Sequence, residues 1–139
     1  MRMLQAIPAL PVRDISQSVD FYRDKLGFTI VHQEEGFAVL QYDAVIINLW
    51  AARDEDWRMR SNSTPVVSGA ESFIAGTASC RMEVEGVDDL YIRMEPLGIL
   101  HPNSKLKDQW WGERDFAVTD PDNNLITFFE KERMPRNNM

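Results

Sequence analysis

The chain has 139 residues, 44% of them hydrophobic, and carries 22 acidic against 15 basic side chains for a formal net charge of −7. That length bounds it to one globular domain, or to two very small halves sharing a core, and the acidic balance argues against a nucleic-acid footprint, which needs a basic stripe. Cys80 stands alone, so no intramolecular disulfide and no Cys-rich metal site can form. No apolar run approaches a membrane span, and the Pro-broken start from Met1 to Pro8 is unlike a signal peptide, so a cytoplasmic protein is expected. An acidic chain suits a cationic small molecule, although solubility alone explains most such balances.

In chain order, Ala6 to Val12 reads as a strand whose Pro8 and Pro11 remove ladder donors, which favours an edge strand or one that crosses over. Ser16 is the expected N-cap of a helix in which Ile15, Val19, Tyr22 and Leu26 recur at helical spacing before Gly27 stops it. Phe28 to His32, Phe37 to Tyr42 and Val45 to Trp50 read as three strands, with Glu34-Glu35-Gly36 and Asp43-Ala44 as turns. From Ala51 to Gly76 the signal changes to charged and then Ser-, Pro- and Gly-bearing segments. This reads as a linker with one short helical turn around Asp54 to Arg60. A strand from Thr77 to Val84 follows, then a helix presenting Val87, Leu90, Met94 and Leu97 on one face, with Pro96 shortening its end. Strands are expected near Ile99 to Leu100, Asp115 to Thr119 and Leu125 to Glu130. The last two are joined by the tight turn Asp120-Pro121-Asp122-Asn123-Asn124, and the tail from Lys131 to Met139 is polar.

This order states one unit twice. V-R-D-I-S-Q-S-V-D-F-Y-R-D-K-L-G-F (Val12 to Phe28) is matched by V-E-G-V-D-D-L-Y-I-R-M-E-P-L-G-I (Val84 to Ile99). Downstream, Phe37-Ala38-Val39 is echoed by Phe116-Ala117-Val118, and Ile46-Ile47-Asn48-Leu49 by Leu125-Ile126-Thr127-Phe128. The expected fold class is therefore α+β: two tandem β-α-β-β-β modules forming curved mixed sheets around a cleft, in a single domain. Module one spans about 5–50, the linker 51–76, module two about 77–131 and the tail 132–139.

The repeat, with V-R-D-x-x-x-S-V-x-F-Y-x-x-x-L-G-F and D-P-D-x-N-L, resembles the vicinal oxygen chelate superfamily, which includes glyoxalase I, extradiol dioxygenases and bleomycin-resistance proteins. The resemblance runs from about Ala6 to Glu130. The stretches Ala6 to Asp14 and Trp111 to Val118 are most similar to the bleomycin-resistance branch. Enzymes of that superfamily hold a divalent metal on four inward-facing strand positions, which fall here at Ile7, Asn48, Ser79 and Thr127. An apolar side chain, an amide and two hydroxyls supply no charge to offset dehydration of the ion, so the resemblance implies no metal, no cofactor and no catalysis.

In the resembling branch, aromatic rings clamp the planar part of the drug and acidic side chains face its cationic tail, in a groove at a dimer interface. The chain has four Trp, and the candidate ligand-binding residues are Phe37, Trp50, Trp57, Trp110 and Trp111. Glu35 and Asp54, with Glu34 and Asp56, are the acidic candidates, although solvated loop charge is the bland reading of each. Phe28, Phe116 and Phe129 are expected in the core. Pro8 and Pro11 are the candidate hinge of an N-terminal arm exchanged between the subunits of a homodimer.

His32 and His101 stand without an acidic partner in a motif and read as surface residues. No nucleophile motif is present. The expected function is stoichiometric sequestration of a cationic glycopeptide antibiotic of the bleomycin type, conferring resistance. The alternatives are a metal-dependent glyoxalase- or dioxygenase-like enzyme drawing ligands from His32, His101 or Glu130, and a binder of another small aromatic ligand.

Overall fold

The computed structural model describes residues 1–53, 66, 68–72 and 78–132. Its elements are β1 (Ala9–Val12), α1 (Ile15–Asp24), β2 (Thr29–Gln33), β3 (Phe37–Tyr42), β4 (Val45–Ala51), β5 (Ser79–Glu83), α2 (Val87–Met94), β6 (Lys107–Asp108), β7 (Glu113–Thr119) and β8 (Leu125–Lys131). They form two four-stranded mixed sheets, ordered β1-β4-β3-β2 and β5-β8-β7-β6, so the α+β class holds. Two compact units result: Met1–Ser79 with Asp120–Asn124, and Cys80–Thr119 with Leu125–Met139.

In the first unit β1 lies at the sheet edge, the position that Pro11 within it and Pro8 just before it favour, and runs parallel to β4. The strand is shorter than expected, although Asn48 N still donates to Pro8 O at 3.0 Å. Helix α1 is capped by Asp14 and not by Ser16: the Asp14 backbone is extended and its Oδ1 accepts from Gln17 N at 3.0 Å. Ile15, Val19, Tyr22 and Leu26 are buried, as their spacing requires, and Ser18 is buried among them. On the sheet, Leu10, Val12, Ala38, Leu40, Ile47 and Leu49 are fully buried on the face that α1 covers. At Gly27 the chain turns with φ 85°, a conformation that an L side chain resists, and a Cβ there would lie 3.0 Å from the Tyr42 ring.

The turn between β7 and β8 belongs to this first unit and is its polar anchor. Asp120 is buried, and its two carboxylate oxygens accept from Asp122 N, Asn124 N, Asn124 Nδ2 and Tyr22 Oη at 2.8–2.9 Å. Asn124 Nδ2 also donates to Pro11 O at 2.8 Å, and Asp122 accepts from the Arg13 backbone and guanidinium. The motif D-P-D-x-N-L is thus more than a turn: it ties β1 and α1 to a segment over a hundred residues away, with |i−j| up to 113.

In the second unit α2 is followed by a short 3-10 turn, Glu95–Leu97, set by Pro96. Tyr91 meets the Phe116 ring edge-on at 5.2 Å, while Leu97 stays 37% exposed rather than joining the apolar face. The strand expected at Ile99 to Leu100 is reduced to one bridge, Leu100 to Val118. Pro102 carries no donor, and Ser104 N turns back to His101 O at 2.9 Å. Pairing with β7 resumes at β6, a strand absent from the sequence reading.

The repeat also needs correction in register. Leu49 pairs with Ala38 and Phe128 with Phe116, so Ala38 corresponds to Phe116 and not to Ala117. Burial agrees, because Ala38 and Leu40 are buried in β3 as Phe116 and Val118 are in β7. The literal match Phe-Ala-Val is off by one residue, and such a slip moves every side chain to the opposite face. The β4 and β8 match is in phase: Ile47 and Leu49, like Ile126 and Phe128, are buried.

Candidate aromatic binding surfaces

Alternation along the strands decides which side chains each sheet leaves open. In the first sheet Pro11, Phe37, Val39, Asn48 and Trp50 share the face opposite the one that α1 covers, because Trp50 pairs with both Pro11 and Phe37, and Asn48 with Val39. On that face Phe37 and Trp50 stack with centroids 4.8 Å apart and planes 18° from parallel. His32 extends the row, its ring 5.1 Å from Phe37. Strict alternation would place His32 on the same face as Ile30, against the helix. A register shift between Ile30 and His32 instead pairs His32 with Val39 and leaves Val31 as the extra, exposed residue.

Acidic groups rim this row. His32 Nε2 lies 2.9 Å from Glu34 Oε1, so His32 does have an acidic partner, contrary to the expectation from sequence. Glu35 pairs loosely with Arg53 at 3.4 Å, both exposed, a contact that contributes little to stability. Phe37, Trp50 and Glu35 are therefore in one neighbourhood, joined by His32 and Glu34. Trp57, Asp54 and Asp56 lie outside the described residues.

Trp110 and Trp111 belong to the second unit, in the turn leading to β7. Their rings meet edge-to-face at 5.4 Å; Trp110 is 91% exposed and Trp111 48%. Trp111 Nε1 donates to Glu113 Oε1 at 2.8 Å, and the Arg81 guanidinium donates to the same oxygen. Arg81 in turn sits 4.1 Å over the Phe129 ring. The hydrogen bond from Trp111, followed by that from Arg81, holds the Glu113 carboxyl below its ordinary range. The strand alternation that placed β5 and β7 gave no sign of this clip, because Arg81 and Glu113 are adjacent only across the sheet.

Of the four strand positions that hold a metal in the resembling enzymes, Ile7 and Ser79 are exposed, and Asn48 and Thr127 half-buried. Among the described residues no three His, Cys, Asp or Glu side chains converge as a metal-ligand set. Those four side chains do not fit a divalent ion, since none brings an imidazole or a carboxylate. Glu130, a possible substitute ligand, instead accepts from Val87 N at 3.1 Å at the start of α2. Pro8 and Pro11 lie at the sheet edge, and the residues before them include the exposed apolar side chains Met1, Met3, Leu4 and Ile7.

Two repeated modules, open sheet faces and paired aromatic surfaces define a protein of the glyoxalase and bleomycin-resistance class. The profile of the Glyoxalase/Bleomycin resistance protein/Dioxygenase superfamily matches residues 5–128, and the chain belongs to that superfamily. It is 70% identical over 129 residues to the bleomycin resistance proteins of Geobacillus stearothermophilus and Staphylococcus aureus, matching 93% of this chain and 98% of theirs. The crystal structure of a bleomycin-binding protein complexed with bleomycin superposes with a TM-score of 0.68 at 25% identity, covering 94% of this chain and 100% of that one.

Proposed function

We propose that the chain binds a cationic glycopeptide antibiotic of the bleomycin type and sequesters it without chemistry, thereby conferring resistance. The observation that carries this reading is the 70% identity to bleomycin resistance proteins across 98% of their length. The surfaces suit such a ligand physically. A stacked Phe37–Trp50 pair offers a flat face to a planar heteroaromatic group, and Glu34 and Glu35 offer negative charge to a cationic one. Trp110 and Trp111 supply a second aromatic surface, and Trp57 and Asp54 belong to the same proposed ligand-binding set. Sequestration needs affinity alone: a dissociation constant of about 0.1 μM corresponds to roughly −9.5 kcal/mol, within reach of aromatic stacking plus charge complementarity. The non-enzymatic reading rests on Ile7, Asn48, Ser79 and Thr127, which do not fit the metal of the superfamily's enzymes.

The same reading takes the chain as a single domain and the working form as a cytoplasmic homodimer, with an N-terminal arm hinged at Pro8 and Pro11. The exposed apolar side chains of Met1, Met3, Leu4 and Ile7 support the arm, because a partner surface would remove them from water. Titration with bleomycin tests the function directly. Trp emission should be quenched to saturation at up to one drug per chain, and unchanged emission up to about 100 μM drug would reduce the reading to a binder of some other small aromatic ligand.

A further inference from the structure

The open face of the second sheet holds a cavity of about 260 Å³ whose lining includes His101, Asn103, Lys105, Lys107, Gln109 and Asp115. Its charge runs against that of the chain. Three of its side chains are basic or protonatable, in a protein of net charge −7. Its one carboxylate, Asp115, is buried and already accepts from Gln109 Nε2 at 2.9 Å. Neither Lys105 nor Lys107 makes an ion pair among the described residues. The other basic side chains of this face are committed, Arg81 to Glu113 and Lys131 to Glu83.

The scaffold around these donors is fixed by the backbone. Ser104 Oγ accepts from Ala117 N at 2.6 Å, and His101 N donates to Ala117 O at 2.9 Å, so both ends of the His101 to Ser104 turn are tied to β7. His101 Nδ1 accepts from Asn103 N at 3.1 Å, which fixes the ring against the turn and leaves Nε2 as its other hydrogen-bonding atom. Lys107 lies on β6 opposite Asp115, and Lys105, two residues earlier, lines the same cavity. An imidazole, an amide and two ammonium groups thus line an open depression of about 260 Å³, where two lysines outnumber the single hydrogen-bonded carboxylate of Asp115. Such a set recognises a compact oxyanion rather than a cation.

We infer that this cavity is an anion site that takes a phosphate, either as free inorganic phosphate or as the phosphate group of a small monoester. The assignment rests on the cavity's own donors and not on the proposed function, although Asp115 and Ala117 share a face of β7 with Glu113, and Gln109 leads into the Trp110–Trp111 turn. Amide shifts of the His101 to Lys107 segment, followed by NMR in the full chain at constant ionic strength, test it. Inorganic phosphate should produce saturable shifts there below about 10 mM, and chloride should not. Phenyl phosphate and phenol separate the two sources: tighter binding by the ester than by free phosphate, with none by phenol, assigns a monoester, and equal binding assigns the free anion. The double variant Lys105→Met, Lys107→Met should weaken phosphate at least tenfold and either single variant at least threefold, whereas Lys25→Met, which removes one charge at the end of α1, should change it less than twofold. Asn103→Ala, which leaves both lysines in place, should weaken it severalfold and serves if the double variant does not fold. Absence of saturable shifts with phosphate, or equal weakening by Lys25→Met, would overturn the assignment.

Discussion

Tyr22 Oη donates to Asp120 Oδ2 at 2.9 Å, joining α1 to the β7–β8 turn inside the first unit. Both side chains are buried, and Asp120 collects three further N–H donors from its own turn. A buried carboxylate of this kind is stabilised by its donors alone, and its removal strands all of them. Tyr22→Phe should therefore cost about 1.5 to 3 kcal/mol of folding stability, the range for a hydrogen bond to a charged acceptor. Asp120→Ala should cost more, above about 4 kcal/mol, because several buried donors lose their acceptor together. Urea denaturation of the two variants measures the difference, and an equal loss in both would mean that the turn donors rearrange.

Gly27 gives a second stability prediction from backbone geometry. With φ 85° and a hypothetical Cβ 3.0 Å from Tyr42 Cε2, Gly27→Ala meets both conformational and steric resistance. The left-handed conformation alone costs about 1 to 2 kcal/mol in a non-glycine residue. Gly36→Ala is the control, since a Cβ there meets nothing within 4 Å. It should change stability by less than about 0.5 kcal/mol, as expected of an unconstrained surface position.

The Glu113 clip makes a prediction about acid. Its carboxyl is held below the ordinary range by Trp111 and then by Arg81. A group whose folded value is lowered contributes in full above its unfolded value, about 4.3 for Glu, and loses that contribution as pH falls through the lowered folded value. Acid titration of Trp emission should accordingly contain a component below about pH 4 that Glu113→Gln lacks. The Gln variant still offers an oxygen to Trp111 Nε1 but no charge to Arg81, whereas Glu113→Ala releases the indole. Emission at neutral pH should therefore shift to the red in the Ala variant more than in the Gln variant.

How much of this was legible in the sequence depends on which periodicity governed each element. Helix α1 read correctly at Ile15, Val19, Tyr22 and Leu26 because burial on one face writes a 3.6-residue pattern. Its cap did not, since Asp14 and Ser16 are both good capping residues and only the extended backbone at Asp14 chooses between them. His32 read correctly as a surface residue, but its place in the aromatic row was not legible: a bulge inserts one residue and inverts the two-residue alternation, and nothing in Thr-Ile-Val-His-Gln marks it. The same arithmetic undid the Phe-Ala-Val echo, where identity of letters outweighed identity of register. Asp120, Asp122 and Asn124 were read as turn formers, which they are. Their partners Tyr22, Arg13 and Pro11 are distant contacts that local spacing cannot encode. The basic cavity on the second sheet was missed because it forms where the expected Ile99–Leu100 strand breaks and β6 begins.

The aromatic row on the first sheet gives the last prediction, which concerns how binding divides between stacking and charge. Phe37 and Trp50 lie 4.8 Å apart at 18°, so each ring supports the other's orientation, and Trp50→Ala leaves Phe37 without its stacking neighbour. Truncating either ring should weaken bleomycin by about 1 to 3 kcal/mol while leaving the fold intact, because neither side chain lies on the face that α1 covers. Trp111→Ala on the second unit should weaken it by a similar amount. The acidic rim acts differently. Glu34 and Glu35 are exposed, and their attraction for a cationic ligand is screened over about 8 Å at physiological ionic strength. Binding should therefore weaken as salt rises, and a Glu34→Gln, Glu35→Gln variant should lower the affinity modestly and flatten that salt dependence. In the ring variants the salt slope should stay as it is while the affinity falls. Titrations by Trp emission at several salt concentrations measure both quantities; a ring variant that flattened the slope, or a Gln variant that left it steep, would place the ligand's charge away from this rim.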